Sequence, residues 1–147
     1  MRLPVALVQL DATSDVDANM ERATALATDA AAGGARLVVL PEYLQYRGGD
    51  DGFRKSARPI PGPLIDAFGE VARRHDAWIL AGSVAETSGD PARPYNTSTL
   101  IAPDGSIAAA YRKIHLFDVA VDDGPVDTES ARVSPGDEAV VADVDGV

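Results

Sequence analysis

Val38-Val39-Leu40-Pro41-Glu42-Tyr43 carries an apolar run straight into a proline and then a carboxylate. Consecutive aliphatic residues fit a strand buried on both faces. Proline cannot donate to a sheet ladder, so Pro41 marks the end of that strand. Glu42 then stands at the carboxyl end of a buried strand, which is where α/β folds bind their ligands. A carboxylate there must be solvated or paired, because burying it alone is costly.

The rest of the chain predicts the frame around this strand. Val5 to Leu10 reads as a first strand, and Leu37 to Leu40 as the second. Between them the spacing predicts an alanine-rich helix over Ala18 to Ala32. Asp15 or Asp17 is its cap, and Gly33-Gly34 ends it. Met20, Ala23, Leu26, Ala27 and Ala30 share one face of it. Tyr43 to Ile60 reads as a long polar loop, of the kind that is often functional. Pro61-Gly62-Pro63 opens a second helix through His75, with Leu64, Ile65, Phe68, Val71 and Ala72 inward.

Three further strands are predicted over Trp78 to Val84, Tyr95 to Ala102 and Ser106 to Arg112, the last two joined by the tight turn Pro103-Asp104-Gly105. His115 to Pro135 reads as an acidic loop and Glu138 to Val144 as a sixth strand. Asp145-Gly146 is a strong hairpin signal, and only Val147 follows it. The expectation is a chain cut inside its fold. Strands that alternate with helices and then form a hairpin predict an α/β fold, a mixed sheet with helices packed on it.

Composition limits the function classes. The 147 residues suffice for one domain with a core. The net charge is −10 and no segment concentrates Lys and Arg, which argues against nucleic-acid binding. No apolar run reaches the length of a membrane span, and Met1 to Val5 lack the pattern of a secretory signal, so a cytoplasmic location is expected. There is no cysteine, which excludes disulfides and thiolate metal sites within these residues. The acidic loop lacks the regular oxygen-ligand spacing of a calcium site.

The fifth predicted strand runs into Tyr111-Arg112-Lys113-Ile114-His115. Lys113 therefore lies just past a strand end, as Glu42 does. If the two strand ends lie close, ammonium and carboxylate pair and both stay ionised in a partly buried pocket. A held carboxylate acts as a general base and a held ammonium steadies an oxyanion. A nucleophile is missing, and Gly82-Ser83-Val84 lacks the glycine spacing of a nucleophile elbow. His115 is expected to be a structural, hydrogen-bonding histidine, and Asp122, Asp123 and Asp127 to be solvated. Tyr95-Asn96-Thr97 is expected to be scaffold beside the site. Tyr46 and the loop from Arg47 to Lys55 are candidates for lining a substrate pocket.

Leu40-Pro41-Glu42-Tyr43, then "YNTSTLIAPDG" from Tyr95, then "YRKIHLFD" from Tyr111, then Thr128-Glu129-Ser130 and "SPGD" from Ser134 follow one another in a telling order. Together they resemble the carbon–nitrogen hydrolase (nitrilase) superfamily. The likeness is greatest to its amidase branch, which contains omega-amidase and deaminated-glutathione amidase. The resemblance implies a four-layer α-β-β-α sandwich, of which residues 1–147 are the N-terminal part of a single domain. It implies a Glu-Lys-Cys triad with Glu42 as general base, Lys113 as catalytic lysine and the cysteine beyond Val147. It places a second family glutamate on Glu129, positioning the lysine or the substrate. Tyr46 is the substrate-binding candidate.

The implied activity is hydrolysis of the carbon–nitrogen bond of a small, carboxylate-bearing amide, without cofactor or metal. The implied partners are a small-molecule amide and either further copies of the chain or a complementing C-terminal portion, with no nucleic acid or membrane. Residues 1–147 alone are expected to be inactive and to expose apolar sheet surface. The alternatives are a noncatalytic binding or assembly protein that kept the fold, and a nitrilase or N-carbamoyl hydrolase of the same superfamily.

Overall fold

The computed structural model describes residues 2–122, 124 and 126–147. Asp123, expected to be solvated, lies outside the described residues, as does Met1. Five strands form one sheet in the order β1 (Val5–Leu7), β2 (Leu37–Val39), β3 (Trp78–Glu86), β4 (Tyr95–Ile101) and β5 (Ile107–Arg112). The first three are parallel, and β4 is antiparallel to both its neighbours. The sheet is therefore mixed, and β2, β3 and β5 all end at the same edge. The start of antiparallel β4 lies at that edge too.

Two helices cover one face. Helix α1 (Val16–Ala32) is capped by Asp15, whose carboxylate accepts from the Ala18 amide at 3.0 Å. It buries the small side chains Ala23, Ala27 and Ala31, which let it lie close to the sheet. Helix α3 (Pro63–His75) buries Leu64, Ile65, Phe68, Val71 and Ala72, the inward set predicted from the spacing. These residues join Val38, Leu40, Ile79, Ala81 and Ile101 in one core. The opposite sheet face is open: Val5 and Leu7 are 49% and 80% exposed.

Three expectations are corrected. The segment from Tyr43 to Ile60 is not loop throughout, because Asp50–Ser56 forms the short helix α2. Its acids lie in the first turn and Arg54 and Lys55 in the last, complementing the helix dipole. The acidic segment from His115 holds a small antiparallel ribbon, β6 (Asp118–Ala120) with β7 (Val126–Thr128), followed by a 3-10 helix at Glu129–Ala131. Glu138 to Val144 forms no strand among the described residues, and Val141 is 96% exposed. An apolar stretch becomes a strand only where a neighbouring strand receives its hydrogen bonds. The Asp145-Gly146 turn does form. Both residues have positive φ, and Val144 and Val147 exchange two hydrogen bonds of 3.1 Å, as in a two-residue hairpin turn.

Candidate active site

The loop that follows β2 carries Glu42, and β3 pins it. The Ser83 amide donates to the Pro41 carbonyl, the Leu44 amide donates to the Ser83 carbonyl, and the Tyr43 amide donates to Ser83 Oγ at 3.0 Å. The register of β3 against β4 slips between Ala81 and Val84, where β3 turns to meet this loop. Gly82 lies in the slip. A Cβ there would overlap the Leu40 and Pro41 carbonyl oxygens, so only glycine permits so close an approach.

Lys113, the residue after β5, is fixed through its backbone on both sides. Its amide donates to the Asn96 carbonyl and its own carbonyl accepts from the Gly136 amide, both at 2.9 Å. β2 and β5 are not neighbours, since β3 and β4 lie between them. The gap is closed from the start of β4, where Asn96 Nδ2 donates to Glu42 Oε1 at 2.7 Å. Asn96 thus touches the side chain of Glu42 and the backbone of Lys113. The scaffold expected here is a direct partner of the carboxylate.

The Lys113 ammonium bridges two carboxylates. Its Nζ lies 3.1 Å from Glu42 Oε1 and 3.0 Å from Glu129 Oε2. The sequence candidates Glu42, Lys113 and Glu129 are therefore brought together. Burial works to lower the lysine pKa, but the bonds to Glu129 and Glu42 outweigh it and hold the ammonium above its ordinary value.

Glu129 is 2% exposed and has both oxygens occupied. The Tyr43 phenol donates to Oε1, while the Phe117 amide donates to Oε2 at 2.6 Å alongside Lys113. Burial would raise its pKa, yet these three donors together keep the carboxyl below its usual range. The Tyr43 phenol is pushed up, first by burial and then by its bond to Glu129.

A cavity of about 350 Å³ opens onto this cluster, lined by Glu42, Tyr43, Tyr46, Lys113, Glu129 and Arg132 among others. Tyr46 is 8% exposed and its hydroxyl donates to the Gly49 carbonyl at 3.3 Å, so it presents its ring rather than a free hydroxyl. Asp127, expected to be merely solvated, lines the same cavity and grips Arg132 through two hydrogen bonds of 2.6 and 3.2 Å. The guanidinium holds the Asp127 carboxyl below the usual range. Asp122 is exposed, as expected. His115 is exposed and makes no hydrogen bond among the described residues, contrary to the structural role expected of it. Among the described residues no group of three or more His, Asp or Glu side chains is placed to hold a metal ion.

Behind the site, Glu86 is buried under Arg112. The guanidinium donates to both carboxylate oxygens, at 2.8 and 2.7 Å, and Thr97 adds a third donor at 2.7 Å. Burial would raise the pKa of Glu86, but these donors hold it low. The same guanidinium stacks 4.4 Å from the Tyr95 ring centroid. This pair fixes the end of β5 immediately before Lys113.

Residues 4–147 match the carbon–nitrogen hydrolase family. The chain belongs to this family. Human omega-amidase NIT2 is 38% identical over 133 residues, covering 90% of this chain and 48% of the human protein. Two solved structures share the fold. The NitFhit protein of Caenorhabditis elegans superposes with a TM-score of 0.82 at 26% identity, over 95% of this chain and 35% of its own. Nit3 of Saccharomyces cerevisiae, a member of the nitrilase superfamily, superposes with a TM-score of 0.79 at 29% identity, over 97% of this chain and 52% of its own. This carbon–nitrogen hydrolase chain spans about half the length of the curated relatives it matches.

Proposed function

We propose that Glu42, Lys113 and Glu129 are the fixed part of an amide-hydrolysing site whose substrate is a small amide bearing a carboxylate. The observation that carries this reading is the Lys113 ammonium held at about 3 Å from both carboxylates at one end of a family-typical sheet, facing a cavity. The two glutamates are suited to different work. Glu129 is buried and has both oxygens engaged. Glu42 has a side chain 52% exposed, and both its hydrogen bonds fall on Oε1. Among the described residues Oε2 accepts nothing, so it is the oxygen open to a proton.

In this reading the nucleophile is a cysteine thiol, which residues 1–147 do not contain and which comes from polypeptide outside them. Glu42 Oε2 takes the thiol proton, and the thiolate attacks the amide carbonyl. The Lys113 ammonium faces the oxyanion of the tetrahedral intermediate. As the C–N bond breaks, Glu42 returns its proton to the departing nitrogen and a thioester remains. Glu42 then takes a proton from water, and the hydroxide displaces the thiolate to release the acid.

Arg47 also lines the cavity and forms no ion pair among the described residues, whereas Arg132 is bound to Asp127. Arg47 is therefore the cation suited to the substrate carboxylate, and the Tyr46 ring to the apolar part of the substrate. The omega-amidases among the relatives are consistent with such a substrate.

Intact-mass measurement of the natively expressed protein, before and after iodoacetamide, tests the thiol requirement. The reading predicts a carbamidomethyl adduct and loss of amide turnover on alkylation. A protein with no alkylatable thiol favours the noncatalytic binding or assembly reading.

A further inference from the structure

Tyr43 combines three features that no single structural need explains. Its φ is +55°, in the left-handed region that a bulky aromatic residue rarely enters. Such a conformation costs of order 1 kcal/mol or more and persists only where surrounding contacts impose it. Those contacts are specific. The Tyr43 amide donates to Ser83 Oγ at 3.0 Å, and the ring meets the Phe53 ring edge-on at 5.4 Å and 80°. The phenol donates to Glu129, a residue 86 positions away in sequence. The left-handed turn is what points a side chain adjacent to Glu42 back across the cavity towards Glu129.

We propose that Tyr43 is a positioning residue: its phenol locks the Glu129 carboxylate, and through Glu129 it sets where the Lys113 ammonium stands against Glu42. A closed circuit results, running from Glu42 along the backbone to Tyr43, then through its hydroxyl to Glu129, through the carboxylate to Lys113, and back to Glu42. The phenol holds Oε1 of a buried carboxylate whose Oε2 is held by the Phe117 amide and Lys113. It also ties the loop after β2 to the 3-10 helix at Glu129–Ala131, two segments the sheet does not join. The inference rests on the hydrolytic reading only for its purpose. The circuit itself is a structural claim that can be tested without turnover.

The charged groups that face the Tyr43–Glu129 bond are Lys113, Glu42 and Arg132, the last paired with Asp127. The experiment follows the glutamate carboxyl carbons of the ¹³C-labelled chain by NMR through an acid titration, in the native chain, Tyr43→Phe and Tyr43→Asn. Tyr43→Phe keeps the ring and removes the hydroxyl. Tyr43→Asn removes both but suits the left-handed backbone, so it stays folded even if the phenylalanine variant does not. Glu129→Gln assigns the signal.

The expected result is a rise of about one pH unit in the Glu129 midpoint in both variants, because a donor to the charged form is lost. Glu86, held by Arg112 away from Tyr43, stays unchanged. Residues 1–147 hold two lysines, Lys55 and Lys113, and Lys113→Arg assigns the second signal, so the ammonium spectrum gives a second readout. Lys113 protons should exchange with water about three- to tenfold faster, the factor one hydrogen bond carries, while exposed Lys55 is unaffected. An unmoved Glu129 midpoint in both folded variants overturns the proposal. Equal shifts at Glu129 and Glu86 also overturn it, since they mean general loosening. Either failure leaves the hydrolytic reading standing, and loss of turnover chemistry would leave the circuit standing.

Discussion

Lys113 stands between two carboxylates that are held in opposite ways, and this asymmetry governs what substitution there should do. Glu129 is buried and depends on its donors, while the Glu42 side chain is half in solvent. Removing the ammonium with Lys113→Met leaves Glu129 as a buried charge with one partner fewer, a loss we expect to cost about 3 kcal/mol at pH 7. The pH dependence has a definite sign. The Glu129 carboxyl is held below its ordinary value, so its contribution to stability is fully present above about pH 4.3 and is lost as pH falls through the lower folded value. Without Lys113 the carboxyl protonates earlier, so the penalty should shrink at pH 4. Urea unfolding at both pH values measures this, and an equal penalty at each would contradict the account. Glu42 and Lys113 were legible in sequence because each follows an apolar strand. The part of Asn96 was not, because no local pattern shows that the start of β4 reaches across to the loop after β2. The left-handed turn at Tyr43 was equally hidden, since tyrosine carries no signal for it.

The elements were legible where periodicity and capping agree. Asp15 before an alanine-rich run and Pro63 at the start of an amphipathic run mark α1 and α3 within two residues of their observed starts. Helix α2 was masked by Gly48, Gly49 and Gly52, which read as loop. The ribbon of β6 and β7 was masked by acidic residues that weaken strand propensity. Glu138 to Val144 holds the apolar run Ala139-Val140-Val141-Ala142 that reads as a strand, but it has no partner among the described residues. The close passage of β3 beneath the Glu42 loop is an element-scale feature with a direct consequence. Gly82→Ala would push a methyl group into the Leu40 and Pro41 carbonyls, so β3 and the loop must part. We expect a loss of about 2–3 kcal/mol, with the Asn96–Glu42 hydrogen bond broken. Thermal melting and the Asn96 side-chain amide signal report the two effects, and an unchanged melt with an unchanged amide would refute the close approach.

At the scale of the whole molecule, the described residues place two layers, helices α1 and α3 on one face of a five-stranded sheet, and leave the other face open at Val5 and Leu7. The motif order carried the family and the fold class, because its blocks fall at the strand ends that converge on one edge. The central claim is that this edge is an amide-hydrolysing site with Glu42 as its base. Its most direct test is ammonia release from small carboxylate-bearing amides by the natively expressed protein, compared with its Glu42→Gln variant at equal folded concentration. The account predicts turnover by the native protein and a loss of about a hundred- to ten-thousandfold in the variant, on the scale of losing a general base. Turnover that survives Glu42→Gln unchanged would contradict it.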